Sequence, residues 1–247
     1  MSGHSHYSTI KRTKEAKDSA RGKVFSRHSK AIAIAIKEGG NASPEMNSRL
    51  RFAIEQAKAD NMPKVNIERI LARAEEVGNI EEVTYEGYGP DGVAVVVKAA
   101  TDNKNRTAQE IKNLFERVGG SLAGPGAVAY NFVQKGLIVI KRSADADSQT
   151  LTLIDLGVDD VEEGDGELEI YTAPSKVGEI RQAILNNGFE ITSFGLVMKP
   201  LNLVTITSSE KAKKIISFLD TLEEHDDVQN VFANLDIPPE VAEQMTV

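Results

Sequence analysis

The amino-acid sequence predicts an α+β protein with several domains, in which a three-helix domain precedes two α/β domains. Apolar residues recur at the spacing of amphipathic helices up to Gly78, whereas beyond it they alternate or form short β-branched runs. From residue 137 to residue 198 the predicted strands and helices follow the order βαββαβ, which is the ferredoxin-like pattern. The change of period and this order together predict helices first and α/β structure after them.

Three helices account for the N-terminal part of the chain. The first is expected over residues 15–38, where Gly39-Gly40 ends it, and the third over residues 63–77. Between them, Ser43-Pro44-Glu45 predicts an N-cap, a first-turn proline and an acidic first turn of a helix that extends to about Asp60. Apolar residues that share one face of each helix are expected to form the core, namely Phe25, Ile32, Ile36, Leu50, Ala53, Ile54, Ala57, Ile67, Ile70, Leu71 and Ala74.

Strands begin after Gly78. A hairpin is predicted over residues 83–99 around the turn Gly89-Pro90-Asp91-Gly92. Thr107 and Glu110 have the spacing of a capping box, which predicts a helix from Thr107 to about Val118. The remaining predicted elements are strands at 128–133 and 137–141, a helix at 148–156, strands at 158–163 and 167–172, a helix at 175–187, a strand at 190–198, and a closing strand, helix and strand at 203–207, 209–224 and 228–235.

These elements define the expected domain boundaries. Residues 1–14 lack periodicity and are expected to form a mobile basic arm, and residues 15–78 form the three-helix domain. The closing βαβ piece is able to complete the sheet that the hairpin begins. We therefore predict one discontinuous α/β domain over residues 79–134 and 201–247, with a ferredoxin-like domain over residues 135–200 inserted into it.

The composition excludes several classes of protein. The chain has 247 residues and no cysteine, which rules out disulfides, thiolate metal sites and thiol catalysis. The apolar run from Ala31 to Ile36 is far shorter than the roughly 20 residues of a membrane span, and the N-terminus is polar where a secretory signal is apolar. No phosphate-binding glycine loop or nucleophile elbow is present in the sequence. We therefore expect a cytoplasmic protein without catalytic residues, cofactor, membrane contact or small-molecule substrate.

Charge is unevenly distributed along the chain. The 29 basic and 37 acidic residues give a net charge of −8. Residues 1–75 nevertheless carry a balance of +7, and residues 76–247 carry a balance of −15. Such asymmetry between halves is typical of chains with a polyanion-binding segment. The acidic total therefore does not argue against a nucleic-acid partner.

The basic N-terminal residues are the candidate nucleic-acid contacts. Lysine and arginine bind backbone phosphates with release of counterions, and an aromatic ring is able to stack on a base. The candidates are His4, His6, Tyr7, Lys11, Arg12, Lys14, Lys17, Arg21, Lys23, Arg27, Lys30, Arg49, Arg51, Lys64 and Arg69. The turn at residues 61–64 is also compatible with a helix-turn-helix reader of DNA. The alternative is a solvated surface on which several of these charges pair with neighbouring acids.

A polar loop before the capped helix is a second candidate site. Backbone N–H groups and an arginine at the start of a helix are able to hold an anion, and nearby tyrosines offer a stacking surface. The residues concerned are Tyr85, Tyr88, Asn103, Lys104, Asn105 and Arg106. The alternative is that Asp102 and the asparagines only satisfy the turn.

Two further clusters are expected to bind nothing. His4 and His6 lack the additional ligands that a metal site needs, so no metal is expected. The acidic stretch from Asp159 to Glu169 lacks the spacing of a calcium-binding loop, and we expect it to be the solvated face of a hairpin.

Strings of residues along essentially the whole chain resemble the YebC/PmpR family, in the order that the family shows. They are Gly3-His4-Ser5, Ile10-Lys11, Arg21-Gly22-Lys23, Asn61-Met62-Pro63-Lys64, Asn66-Ile67-Glu68-Arg69, Tyr85-Glu86-Gly87-Tyr88-Gly89-Pro90, Thr101-Asp102-Asn103-Lys104-Asn105-Arg106-Thr107, Gly119-Gly120 and Lys135-Gly136. The resemblance implies a helical N-terminal domain followed by two α/β domains.

The same resemblance implies a non-catalytic regulator of gene expression. The family includes proteins described as transcriptional regulators and a mitochondrial relative that activates translation of a cytochrome oxidase subunit. It also implies a ribosome-linked role in relieving stalling on proline-rich nascent chains. The implied partner is thus DNA, or ribosomal RNA within the ribosome.

A second class of function stays open from the residues alone. The ferredoxin-like domain is also compatible with a protein-docking or ligand-sensing module, in which the basic arm contacts an acidic protein and no nucleic acid is bound. In either class we expect a monomer.

Overall fold

A computed structural model of the chain describes residues 19–73, 80–164 and 166–246. The described residues divide into two compact units. The first unit comprises residues 19–129, apart from 74–79, and residues 214–233; the second comprises residues 130–213, apart from 165, and residues 234–246. The chain is an α+β protein, as the sequence predicts.

The predicted helices and strands occur in the predicted order, and the structure adds a strand at Ser121–Ala123 and a helix at Pro239–Thr246 that the sequence did not predict. The helices are α1 (Ser19–Gly39), α2 (Ser48–Ala59), α3 (Lys64–Ala72), α4 (Lys104–Arg117), α5 (Ala146–Asp155), α6 (Val177–Asn186), α7 (Ser209–Glu223) and α8 (Pro239–Thr246). The strands are β1 (Glu81–Tyr88), β2 (Ala94–Thr101), β3 (Ser121–Ala123), β4 (Phe132–Lys141), β5 (Asp160–Glu163), β6 (Glu167–Thr172), β7 (Ile191–Pro200), β8 (Val204–Thr205), β9 (Val228–Ala233) and β10 (Leu235–Asp236).

The first three helices pack around one apolar core. Most residues predicted to face inward are buried there, namely Ile32, Ile36, Leu50, Ala53, Ile54, Ala57 and Ile67. Phe25, Ile70 and Leu71 are partly buried and pack against this core. The helical periodicity of the sequence is thus confirmed for these positions, while Ala74 lies outside the described residues. The third helix ends earlier than predicted, at Ala72 with Arg73 as its C-cap, and not at residue 77.

The start of α2 corrects the expectation drawn from Ser43. Asn47 is the N-cap, because its Oδ1 accepts a hydrogen bond from the Leu50 backbone N–H at 3.0 Å. The Asn47 amide also donates to the carbonyl oxygens of Ala35, at 2.7 Å, and Asn41, at 3.0 Å. The buried side chain therefore joins α1 to α2. A local capping pattern in the sequence does not reveal such a contact with another helix.

Replacing Asn47 by alanine is expected to lower the free energy of unfolding by about 2 kcal/mol, because the cap and two buried hydrogen bonds are lost together. Ser43→Ala is the matched control, and its effect is expected to stay within about 0.5 kcal/mol. Urea unfolding followed by circular dichroism measures both changes. Equal losses from the two variants would contradict the assignment of Asn47 as the cap.

An antiparallel sheet of four strands in the order β3-β1-β2-β9 forms the α/β part of the first unit. The Phe115 ring on α4 lies against β1 at Gly87, where an added Cβ would come within 2.7 Å of that ring. Phe115 also meets Phe218 on α7 edge to face, with the ring centroids 5.0 Å apart. A glycine in β1 thus permits the close approach of helix and sheet.

The N-terminus of α4 differs from the predicted capping box. Asn103 is the N-cap, and its side chain accepts a hydrogen bond from the Arg106 backbone N–H at 3.1 Å. Thr107 is buried inside the first turn, and its hydroxyl donates to Asp227 Oδ2 at 2.7 Å. The sequence pattern at Thr107 misplaced the N-cap, because the hydroxyl binds Asp227, which lies 120 residues away in the sequence.

The second unit contains the predicted ferredoxin-like arrangement. Its strands have the order β5-β6-β4-β7, every neighbouring pair is antiparallel, and α5 and α6 connect them in the order βαββαβ. Its fully buried apolar side chains include Ile138, Ile140, Leu153, Leu168, Ile170 and Ile184. The prediction of two separate strands at 128–133 and 137–141 is wrong. Residues 132–141 form a single strand, which follows a short 3-10 turn at Ala129–Asn131.

The predicted last strand, 228–235, is divided in two. Its first part is β9, which pairs with β2, and its second part is β10, which pairs in parallel with β8. None of the helices in the described ranges is both long and apolar enough to span a bilayer.

Candidate nucleic-acid interface

The arm residues predicted to bind nucleic acid lie outside the described residues. They are His4, His6, Tyr7, Lys11, Arg12, Lys14 and Lys17. Their role stays a prediction from the sequence.

Three basic residues of α1 contact the C-terminal end of α7 and the turn that follows it. Lys23 donates to the Glu224 carbonyl oxygen at 2.9 Å, and Arg27 donates to the Glu223 carbonyl oxygen. Lys30 donates to the Asp226 carbonyl oxygen at 2.9 Å. Unsatisfied carbonyls give a helix C-terminus partial negative charge, which cations stabilise.

These contacts give Lys23, Arg27 and Lys30 a structural role that the sequence did not predict. Their spacing of four and three residues places them on one face of α1, and this was the available signal. Their carbonyl partners lie about 200 residues further along the chain. The nucleic-acid role of the three residues remains a prediction alongside this structural one.

Asp227 is the centre of the charge network in the first unit. The residue is only 6% exposed, and Lys30, Arg106 and Thr107 each donate to its carboxylate, at 2.7, 2.8 and 2.7 Å. Burial alone would raise the pKa of Asp227, but these hydrogen bonds and charges outweigh burial and hold the pKa far below its usual range. Asp227 therefore stays ionised and joins α1 to α4 through Lys30 and Arg106.

Glu110, His225 and Asp227 bring three possible metal ligands within 4.8 Å of one another. His225 Nε2 already lies 2.9 Å from Glu110 Oε2, and Lys30 and Arg106 already neutralise the Asp227 carboxylate. A divalent cation at this position would meet two fixed positive charges. The cluster therefore has the chemistry of an ion-pair network.

Arg49 and Lys64 have acidic neighbours. Arg49 forms ion pairs with both Glu38 and Glu82, so it joins α1 and α2 to β1. Lys64 pairs with Glu68 one turn further along α3, at 3.4 Å, and remains largely exposed. Arg49 and Lys64 thus form the pairs with neighbouring acids that the alternative of a solvated, ion-paired surface predicts.

Arg51 and Arg69 are the candidates least committed to other contacts. Both are exposed, and the described residues contain no ion pair of either. Arg51 donates to the Pro44 carbonyl oxygen at 3.4 Å, and Arg69 lies 3.5 Å from Asn66 Oδ1. Between α2 and α3 the backbone turns at Asn61, whose φ of 60° lies in the left-handed region that asparagine tolerates.

The polar loop at residues 102–106 is already occupied by its own contacts. Arg106 pairs with Asp102 at 3.0 Å as well as with Asp227, and Lys104 pairs with Glu81. Asn103 is the helix cap, while Asn105 is exposed. These contacts are the ones expected if the polar residues of this loop satisfy the turn and pair with neighbouring residues.

The two tyrosines predicted to stack near this loop differ in exposure. Tyr85 is 9% exposed, its hydroxyl donates to the Lys104 carbonyl oxygen at 3.2 Å, and burial raises its pKa. A buried ring does not offer a face to a base, so the stacking expected of Tyr85 is corrected. Tyr88 is 37% exposed and donates to the Ala127 carbonyl oxygen at 3.1 Å.

Glu86 is an ionisable residue that the sequence did not single out. It is 6% exposed, and its carboxylate accepts hydrogen bonds from the backbone N–H groups of Gly126, Val128 and Ala129 at 2.7 to 2.8 Å. Burial would raise the pKa of Glu86, but the three backbone donors outweigh it and lower the pKa. One carboxylate on β1 therefore fixes the loop that follows β3.

Glu86→Gln is expected to lower the free energy of unfolding by about 2 kcal/mol near pH 7, because a neutral amide cannot accept from all three donors. Since the folded pKa is below 4.5, the contribution is full above pH 4.5 and is lost as the pH falls below it. Urea unfolding across this pH range measures the difference from the native chain. The exposed Glu116→Gln is the control, and a Glu86→Gln effect no larger than the control would refute the role of this carboxylate.

The acidic hairpin is only in part the solvated face that the sequence predicts, because Asp159, Asp160 and Glu163 are exposed whereas other acids of the hairpin are buried or paired. Lys199 lies 2.8 Å from both Asp160 and Glu162, and its ammonium is 3.8 Å from the centre of the Tyr171 ring. Glu169 is 3% exposed and accepts a hydrogen bond from the Tyr171 hydroxyl at 2.9 Å. Much of the negative charge of this hairpin is thus paired within the second unit.

Comparison with known proteins matches the whole length of the chain. Residues 5–77 match the family model described as the TACO1/YebC protein N-terminal domain, and residues 80–235 match the model of the TACO1/YebC second and third domain. A "Probable transcriptional regulatory protein" of Dictyoglomus turgidum is 44% identical over 251 residues and covers 100% of both chains. One of Thermoanaerobacter pseudethanolicus is 45% identical over 245 residues, with 97% of this chain and 99% of that one covered.

Among solved structures, a conserved hypothetical protein from Aquifex aeolicus has a TM-score of 0.82 and 42% sequence identity. The likeness covers 90% of this chain and 92% of that one. The fold and the sequence thus agree over nearly the full length. The chain belongs to the TACO1/YebC family.

Proposed function

We propose that this protein regulates gene expression by binding nucleic acid without catalysing a reaction. The basic arm and the exposed arginines of the helical part bind backbone phosphates, and the α/β parts orient the molecule on its target. The observation that carries the proposal is the separation of charge, +7 over residues 1–75 and −15 over residues 76–247. General solubility does not require such separation, whereas a polyanion partner does.

The names of the relatives support a regulatory role. Those that match over the full length are called probable transcriptional regulatory proteins, which favours DNA as the target. The resemblance in the sequence also implies ribosomal RNA, with relief of stalled translation as the outcome. Phosphate contacts alone carry no base information, so both targets are compatible with the basic surface.

The charge network of the first unit supports a role without catalysis. Its most shifted carboxylate, Asp227, is held ionised by two cations, and a general acid or base needs a pKa near the working pH. The proposal places the protein in the cytoplasm as a monomer, with domains at residues 15–78, 79–134 with 201–247, and 135–200.

Binding of the full chain to labelled RNA and to duplex DNA tests the proposal. We expect the affinity to fall about 1,000-fold between about 50 and 200 mM salt, as six neutralised phosphates would give. Sedimentation of a cell extract through a sucrose gradient then separates the two targets, since a ribosome-bound protein moves with the ribosomal fractions. Absence of binding to either nucleic acid at low salt would favour the protein-docking alternative and overturn the proposal.

A further inference from the structure

The helical part of the first unit carries a groove between α1 and α3. Its volume is about 310 Å³, which lies at the lower end of the range for ligand pockets. It is lined by Gly22, Phe25, Ser26, Ser29, Met62, Asn66, Arg69 and Ile70. These residues define the α1–α3 groove, and Arg69 supplies the charge among them.

The groove combines an apolar floor with a polar rim. Phe25 and Ile70 are partly buried against the helical core, and Met62 is buried in it. Ser26 and Arg69 are exposed at the rim, together with the half-buried Asn66. The floor therefore offers apolar surface and an aromatic ring, and the rim offers hydrogen-bonding groups and one positive charge.

Two polar residues that line the groove, Ser29 and Asn66, retain hydrogen-bonding capacity. The Ser29 hydroxyl donates to the Phe25 carbonyl oxygen at 2.8 Å, which leaves its oxygen able to accept. The Asn66 amide nitrogen has no hydrogen bond among the described residues, and its oxygen has only the 3.5 Å contact with Arg69. An amide with both a donor and an acceptor matches the edge of a nucleobase, and a guanidinium matches a phosphate.

We infer that the α1–α3 groove receives one unpaired base of a single-stranded nucleic acid, whose adjacent phosphate lies on Arg69. A base combines a flat apolar face, a polar edge and a neighbouring negative charge, and these match the floor, the rim and the arginine. In a duplex the bases are stacked and paired, so none is available to enter. The groove begins at Gly22, next in sequence to the basic segment proposed to hold the backbone. This inference rests on the proposed function and specifies the form of its target.

Gly22 provides a way to fill the groove without disturbing the fold. A Cβ added at Gly22 would have no atom within 4 Å, and leucine has a higher helix propensity than glycine. Gly22→Leu should therefore fold and occlude the groove. Gly178→Leu on α6 is the matched control, because a Cβ there also meets nothing within 4 Å. Arg69→Gln removes the guanidinium, and Arg117→Gln on α4 removes the same charge elsewhere.

The probes are a single-stranded RNA of about 12 nucleotides, a length within the range of single-strand sites, and the same strand with its central bases removed. We expect the native protein to bind the intact strand about 10-fold more tightly than the abasic strand, as stacking of one base would give. Gly22→Leu should abolish this preference and Arg69→Gln should weaken binding to both strands. The two control variants should retain the native affinities and preference.

The outcomes separate this inference from the proposed function. If the native protein binds intact and abasic strands equally and Gly22→Leu changes nothing, the inference fails while phosphate binding stands. Occupation of the groove by an apolar side chain of a protein partner would give the same equality. If neither strand binds at low salt, the proposed function fails as well.

Discussion

Reversing the charge of Lys11, Arg12, Lys14 and Lys17 to glutamate is expected to weaken nucleic-acid binding by at least about 100-fold at about 0.1 M salt, since four phosphate contacts are lost and four repulsions are added. The slope of log affinity against log salt should fall by about four, one for each basic residue removed. Fluorescence anisotropy with labelled RNA or DNA over a salt series measures both quantities.

The control changes the net charge equally at another place. Lys112, Lys176, Lys213 and Lys214 are exposed residues of the acidic part of the chain, and their replacement by glutamate alters the total charge by the same amount. We expect this variant to keep most of the affinity and the native salt slope. If the two variants lose affinity equally, binding follows the net charge and the basic arm has no special part in it.

Periodicity predicted the helical core because each helix buries a face that its own sequence defines. Leu50, Ile54 and Ile67 are buried as expected, since residues three and four apart share a helix face wherever the helix packs. The order βαββαβ likewise predicted the ferredoxin-like sheet, because it restricts which strands become neighbours.

The helix starts were less predictable. Ser43 and Thr107 have the right chemistry for caps, but Asn47 and Asn103 hold those positions. Asn47 has partners on α1, which compete with local preference and decide the choice. A local capping pattern therefore located each helix but missed its first residue by a few positions.

Charge contacts between residues far apart in the sequence could not be predicted from the sequence. Nothing near Lys23 or Arg27 in the sequence indicates that their partners are carbonyls at the end of α7. Glu86 and Asp227 stand among many other acids, and only the fold shows that backbone donors or cations surround them. The sequence therefore predicted a basic N-terminal surface but could not separate structural cations from those available to a partner.

Asp227→Asn is expected to lower the free energy of unfolding by about 3 kcal/mol near pH 7. The change keeps the shape of the side chain but removes the charge that Lys30 and Arg106 contact in a buried position, and charge-assisted hydrogen bonds contribute more than neutral ones. Asp226→Asn is the matched control, because the Asp226 side chain is exposed and Lys30 contacts only its backbone carbonyl oxygen. Its effect is expected to stay within about 0.5 kcal/mol.

The pH dependence of the Asp227 contribution follows from the depressed pKa of its carboxyl group. An aspartate whose folded pKa lies below the ordinary 3.8 contributes fully above pH 3.8, and the contribution declines as the pH falls further. Urea unfolding of the native chain, Asp227→Asn and Asp226→Asn at about pH 7 and about pH 3 should show the Asp227→Asn difference shrinking at the lower pH. Because other carboxylates also titrate there, the Asp226→Asn variant sets the baseline. A difference that is equally large at both pH values would show that packing, and not the ionised carboxylate, accounts for the effect of Asp227.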